Sequence, residues 1–194
     1  AYTSNEKTVY VNDIPSNQFE KWLKIESERF RNPVFRLFHT ELETVYEEKN
    51  RSLDDDSTRL FQELLNTLFP NHQYGQNSTI GKVAHLKHPS IKKIKDFYNK
   101  YYIPNNMAIC LSGDFEYDDT IKLIQKYFGS FSQKKNPVFQ VIKEQPIKIP
   151  IKKEIYGPDS EKVYIGFRFD GASSKNIPLL KMVDMILSNS IAGL

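Results

Sequence analysis

One cysteine, Cys110, in 194 residues leaves no internal disulfide and no cysteine-built zinc site to consider. No apolar run approaches the eighteen or so residues of a membrane-spanning helix. Charge of one sign is also scarce: 27 basic residues against 24 acidic ones give a net charge of +3. The two signs are interleaved, so the basic stripe that marks a nucleic-acid surface is missing. Lys92-Lys93-Lys95, Lys134-Lys135 and Lys152-Lys153 lack interleaved aromatics and read as solvated faces. There is no glycine-rich phosphate loop. These absences argue against nucleic acid and membrane as partners, and leave cytoplasm and periplasm equally compatible. What is present is ordinary folded material, 39% hydrophobic and 26% charged, with 13 Phe and 11 Tyr that exclude disorder. The length suits one large domain with a real core.

Both ends are abrupt. Ala1-Tyr2-Thr3-Ser4 carries no initiator Met, no basic region and no apolar leader, and Ile191-Ala192-Gly193-Leu194 follows an apolar helical pattern without a polar tail. The expectation is a piece of a longer protein.

Along the chain, Thr8-Val9-Tyr10-Val11 reads as a strand. A helix follows, with Asn17 as N-cap, Glu20 three residues on, and Phe19, Trp22, Leu23 and Phe30 inward, until Asn32-Pro33 stops it. A second helix is expected from about 34 to 50. A third opens on the acidic cap Asp54-Asp55-Asp56-Ser57, with a stripe of Leu60, Phe61, Leu64, Leu65 and Leu68, and ends at Pro70. Residues 71–89 lack a period and read as a long loop, the kind that is often functional. A helix over 90–102 should turn Ile91, Ile94, Phe97, Tyr98 and Tyr101 inward. Met107–Leu111 suits a buried strand, with Cys110 as a small core residue. A helix over 118–128, strands over 147–155 and 163–169, and a helix over 177–187 complete the pattern. The expected fold class is therefore α+β, a two-layer sheet-and-helix domain plus the start of a second. Residues 1–140 form the first, 141–160 a linker, and 161–194 the beginning of the other.

The second helix carries the chemistry. At about 100° per residue, Glu41 and Glu48 fall within roughly 20° of each other, beside Val34, Leu37 and Val45. A carboxylate pair on the border of an apolar stripe needs a cation, a proton or a metal if it is buried. If it is not buried, it is simply a charged helix border. His39 points off another face and cannot share a metal with Glu48. His85 and His88 are spaced for a metal only on a helix, and Pro89 favours a loop or capping turn.

The run Glu41-Leu42-Glu43-Thr44-Val45-Tyr46-Glu47-Glu48-Lys49-Asn50 resembles the distal glutamate helix of the pitrilysin/insulinase/mitochondrial-processing-peptidase family. Ala1-Tyr2-Thr3-Ser4 with Thr8-Val9-Tyr10 is similar to that family's active-site edge strand. Asn71-His72-Gln73-Tyr74-Gly75 with Thr79-Ile80-Gly81 is similar to its P-x-H-x-Y-G…T-x-G loop. Tyr101-Tyr102-Ile103-Pro104-Asn105-Asn106-Met107, Gly113-Asp114-Phe115 and Tyr127-Phe128-Gly129 are similar to the helix–strand–helix that closes its first half. The order of these matches, over nearly the whole chain, makes the resemblance specific.

The resemblance implies zinc-dependent hydrolysis of peptides or unfolded polypeptides. It places Glu48 as a zinc ligand, Glu41 as the supporting glutamate behind it, and Ala1, Tyr2, Thr3 and Ser4 as the edge that binds substrate. The other two ligands are histidines of an H-x-x-E-H helix, which occurs nowhere in this sequence and in the family precedes the edge strand. The zinc therefore belongs to the parent protein, and the 194 residues alone are expected to be inactive. The alternative is a non-catalytic homologue acting as scaffold or partner subunit.

Overall fold

The computed structural model describes residues 1–140 and 142–188. Val141 lies outside the described residues, as does the end of the expected second unit, 189–194. Two short antiparallel strands open the chain, β1 (Tyr2–Thr3) and β2 (Thr8–Val9), with Tyr2 opposite Val9 and Thr3 opposite Thr8. Helices follow: α1 (Phe19–Arg31), α2 (Phe38–Asp54), α3 (Asp56–Leu68), α4 (Gln73–Gln76), α5 (Val83–Lys87), α6 (Ile91–Tyr101), α7 (Tyr117–Phe128) and α8 (Ile177–Ser188). Among the described residues the fold is mostly helical, with one two-stranded sheet.

Local chemistry explains most boundaries. Asp55 caps α3 by accepting from the Thr58 amide at 2.7 Å and the Thr58 hydroxyl at 2.6 Å. Ser90 caps α6 through the Lys93 amide. Asn17 does not cap α1. It sits in a single 3-10 turn, Ser16–Gln18, and Gln18 takes the cap position without a side-chain bond. The second helix also starts later than expected. Leu37 adopts φ +52°, a left-handed conformation in which a side chain on Cβ is strained, so the helical path cannot extend back to Val34.

Packing pairs α1 with α7, and α2 with both α3 and α5, while α4 lies on α3. Leu23 is fully buried on α1, and Leu68 and Ile103 are also core residues. An aromatic cluster ties the segment after β2 to α1 and α6. Tyr10 meets Phe30 edge-on at 5.4 Å, Tyr98 stacks on Tyr102 at 4.3 Å, and the Tyr10 and Tyr102 hydroxyls are 3.0 Å apart. Burial and the Tyr102 hydroxyl push the Tyr10 phenol above its ordinary value.

Three expected strands are not strands here. Met107–Leu111, 147–155 and 163–169 have no ladder partner among the described residues. A strand exists only as half of a pair, and without the pair both faces stay open. Val163, Ile165 and Phe167 are accordingly 84, 76 and 75% exposed, and Cys110 is exposed rather than in the core. The helix stripes are likewise narrower than periodicity suggests, for Phe61, Ile91 and Phe97 face solvent.

The segment after residue 142 lies along α3. Glu144 meets Asn71 beyond the helix's C-terminal end, and Lys153 reaches Glu63. Arg59 donates to the Tyr156 carbonyl, and the Asp159 amide donates to Asp56 near the helix start. The chain then returns, so that Arg168 donates to the Leu68 carbonyl at 2.7 Å.

Candidate functional site

Glu41 sits in the first turn of α2, where a carboxylate complements the helix dipole, and Glu48 is two turns further on. Both are exposed, and neither takes part in an ion pair among the described residues. The apolar stripe expected beside Glu41 is absent on its N-terminal side. Val34 and Leu37 precede the helix and are exposed, because the Leu37 turn takes them off its face. Of the expected neighbours, only Val45 is on α2 and half-buried.

Among the described residues, no three His, Cys, Asp or Glu side chains group so as to hold a metal. His39 and His88 line a shallow groove between α2 and α5, together with Leu42, Glu43, Tyr46 and Pro89. His85 is on α5, and His88 is that helix's C-cap, so the capping-turn alternative describes it.

Tyr2 and Thr3 form β1, flanked by Ala1 and Ser4, whose amide donates to the Lys7 carbonyl at 2.8 Å to close the hairpin. The other edge of β1 has no partner among the described residues, which leaves its backbone groups open to pairing.

The loop over 71–81 connects this hairpin to α2. His72 caps α4, its Nδ1 accepting from the Tyr74 amide at 3.2 Å. The Tyr74 hydroxyl donates to Glu6 in the β1–β2 turn. At the far end Lys49, next to Glu48, donates to the Ser78 hydroxyl at 3.3 Å. Gly75 permits the tight turn between them: a Cβ there would sit 2.2 Å from the Phe69 carbonyl oxygen and 2.7 Å from that of Leu65. Gly81, at φ +90°, closes the segment in a conformation open to glycine.

Two residues that sequence reading missed fix the start of this loop. Glu144 accepts from the backbone amides of Asn71 and His72 at 2.7 and 2.6 Å, and from the Asn71 side chain at 2.9 Å. Arg168 lies 3.9 Å from the same carboxylate and stacks over Phe69. Desolvation raises the Glu144 carboxyl, but the three donors and Arg168 outweigh it and hold the group below its ordinary value. No local pattern announces Glu144. Nor does one announce Arg168, since a charge between Phe167 and Phe169 is the ordinary alternation of a half-exposed strand.

Comparison with known proteins identifies the family. Residues 90–193, just over half of the chain, match the family described as "Peptidase M16 inactive domain". The chain is 29% identical over 164 residues to the insulin-degrading enzyme of Bos taurus, which covers 80% of this chain and 16% of that protein. It is 21% identical over 188 residues to an uncharacterized zinc protease of Rickettsia bellii, covering 96% of this chain and 44% of that protein. The probable zinc protease PqqL of Haemophilus influenzae is 28% identical over 150 residues, 75% of this chain and 16% of that protein. The chain thus spans from about a sixth to under half of the length of these relatives. With the family match and the ordered motifs in agreement, the chain belongs to the M16 peptidase family, the pitrilysin/insulinase group of metallopeptidases.

Proposed function

We propose that this chain is part of a zinc-dependent endopeptidase that cuts peptides or unfolded polypeptides. The observation that carries the reading is one loop, 71–81, bonded at one end to the β1–β2 hairpin and at the other to the glutamate helix. The residues test the metal only in part. Catalytic zinc usually takes three protein ligands, and no such cluster exists among the described residues. Glu48 is an exposed carboxylate on a long helix and fits one ligand, the two histidines coming from outside these 194 residues. Zinc, when bound, lowers the pKa of its water and polarises a scissile carbonyl.

The chain's own residues then have distinct tasks. Glu48 ligates, and Glu41 orients a partner of the site from the first turn of the same helix. Ala1, Tyr2, Thr3 and Ser4 offer the open edge of β1 to an extended peptide, whose backbone adds as a further strand. Residues 1–140 make one unit, 141–160 a linker and 161–194 the opening of another, and in the whole protein 107–111, 147–155 and 163–169 are strands of two-layer sheets. The alternating exposed apolar residues of 163–169 support that arrangement.

A non-catalytic homologue, serving as scaffold or partner subunit, is the second reading. That the matching family is described as an inactive domain favours it for residues 90–193. Chelation separates the two. Hydrolysis of an unfolded polypeptide by the full-length protein, lost on zinc removal and restored by zinc, is the expected result. No chelator-sensitive cleavage, with the protein folded, would establish the second reading.

A further inference from the structure

We propose that Glu144 and Arg168 form a clasp that positions the substrate-binding edge. The inference rests on the peptidase reading for its function and on geometry alone for its existence. Glu144 is remote in sequence from everything it holds, and its side chain is only 6% exposed, as Arg168 is only 15% exposed. One carboxylate oxygen takes both backbone amides, of Asn71 and His72, and the other takes the Asn71 side chain. Arg168 in turn donates to the carbonyls of Leu68 and Gln145. It therefore fixes the end of α3 and the segment that carries Glu144 together.

The consequence travels a short distance through covalent and hydrogen-bonded neighbours. Asn71 and His72 lead directly into α4, whose Tyr74 hydroxyl donates to Glu6 in the hairpin turn. With the clasp closed, α4 is held against α3, where the missing Cβ of Gly75 lets its backbone approach the Phe69 and Leu65 carbonyls. Tyr74 then holds the hairpin from one side while the Tyr10–Tyr102 contact holds it from the other. Glu144, Arg168 and Tyr74 are thus positioning residues. None need touch substrate, yet each sets where the free edge of β1 lies. Residues 144–168 thereby control an edge more than a hundred positions earlier in the chain.

Hydrogen exchange and peptide kinetics on the full-length protein test this together. Glu144→Ala should speed exchange of the Asn71 and His72 amides by about tenfold or more, the worth of one lost charge-assisted bond. The Ser4 amide, which closes the hairpin, should accelerate with them. It should do so in Tyr74→Phe as well, where Asn71 and His72 stay protected. For peptide hydrolysis, KM should rise several-fold with kcat little changed. Glu144→Gln keeps an acceptor oxygen and should restore part of both effects, and it also serves if the alanine variant folds poorly. Lys122→Ala, on the exposed face of α7, is the control. Unchanged Asn71 and His72 exchange in Glu144→Ala would overturn the clasp. Faster exchange there, with Ser4 and KM unmoved, would overturn the positioning role. A folded wild type that cuts no peptide would overturn the peptidase reading instead; Asn71 and His72 exchange would still decide the clasp, and the Ser4 amide alone would decide whether it positions the edge.

Discussion

Gly75 shows how little freedom the loop over 71–81 has. Its backbone passes so close to the Phe69 and Leu65 carbonyls that a methyl group cannot enter without moving a helix end. Gly75→Ala should therefore cost on the order of 2–3 kcal/mol, the usual penalty for overpacking a site that cannot relax. Urea unfolding measures it, and a midpoint within error of wild type would mean that α4 shifts freely. The Asp55 cap is a gentler case. Hydrogen bonds from the Thr58 hydroxyl and amide hold its carboxyl below the ordinary 3.8. A depressed native value means that its stabilisation is complete above the unfolded value and fades as pH falls through the native one. Asp55→Asn should lower Tm by a few degrees at pH 7, and the difference should shrink as pH falls below 3.8. A pH-independent difference would assign the loss to packing rather than to the charged cap.

At the scale of elements, α1 against α7 separates hydrophobic from electrostatic contributions. Lys126 and the Tyr127 hydroxyl both reach Glu20, at 2.7 and 2.9 Å, but the ion pair itself is solvent-exposed. Leu23 beneath it is fully buried. Leu23→Ala should cost about 3 kcal/mol, while Glu20→Gln should leave Tm nearly unchanged, since exposed ion pairs contribute little. The reverse ranking in thermal melts would contradict this packing. The longer helices were legible because they carry their own signals, whereas α4 and α5 lie inside the stretch expected to be a loop. Asp55, Ser90 and Pro70 mark ends, and Leu60, Leu64 and Leu68 recur at helical spacing. Strands were not legible as structure, because 147–155 and 163–169 have the right alternation but a partner is not a local property. The site divides the same way. Glu41 and Glu48 can be placed on one helix from their spacing, but the left-handed Leu37 that removes Val34 from that helix has no sequence signal, and the Glu144 clasp depends on contacts far along the chain.

For the whole molecule, the exposed apolar residues are the dominant fact. Val163, Ile165 and Phe167 on one segment, and Leu179, Met182 and Met185 on α8, form more uncovered apolar surface than a stable monomer usually shows. The 194 residues by themselves should bind ANS and associate at micromolar concentration, whereas the full-length protein should do neither. Sedimentation and dye fluorescence on the two compare them directly. A monodisperse, ANS-silent 194-residue chain would show that these surfaces need no cover. The central functional claim concerns Glu48, and bound zinc in the full-length protein tests it most directly. Metal content after dialysis should fall from one zinc per chain to near zero in Glu48→Gln, with peptide turnover lost alongside. Glu43→Gln, on the same helix, should retain both, and Glu41→Gln should retain most of the metal with activity about 10–100-fold lower. Full zinc occupancy and normal turnover in Glu48→Gln would contradict the account, and would make Glu48 an ordinary surface charge.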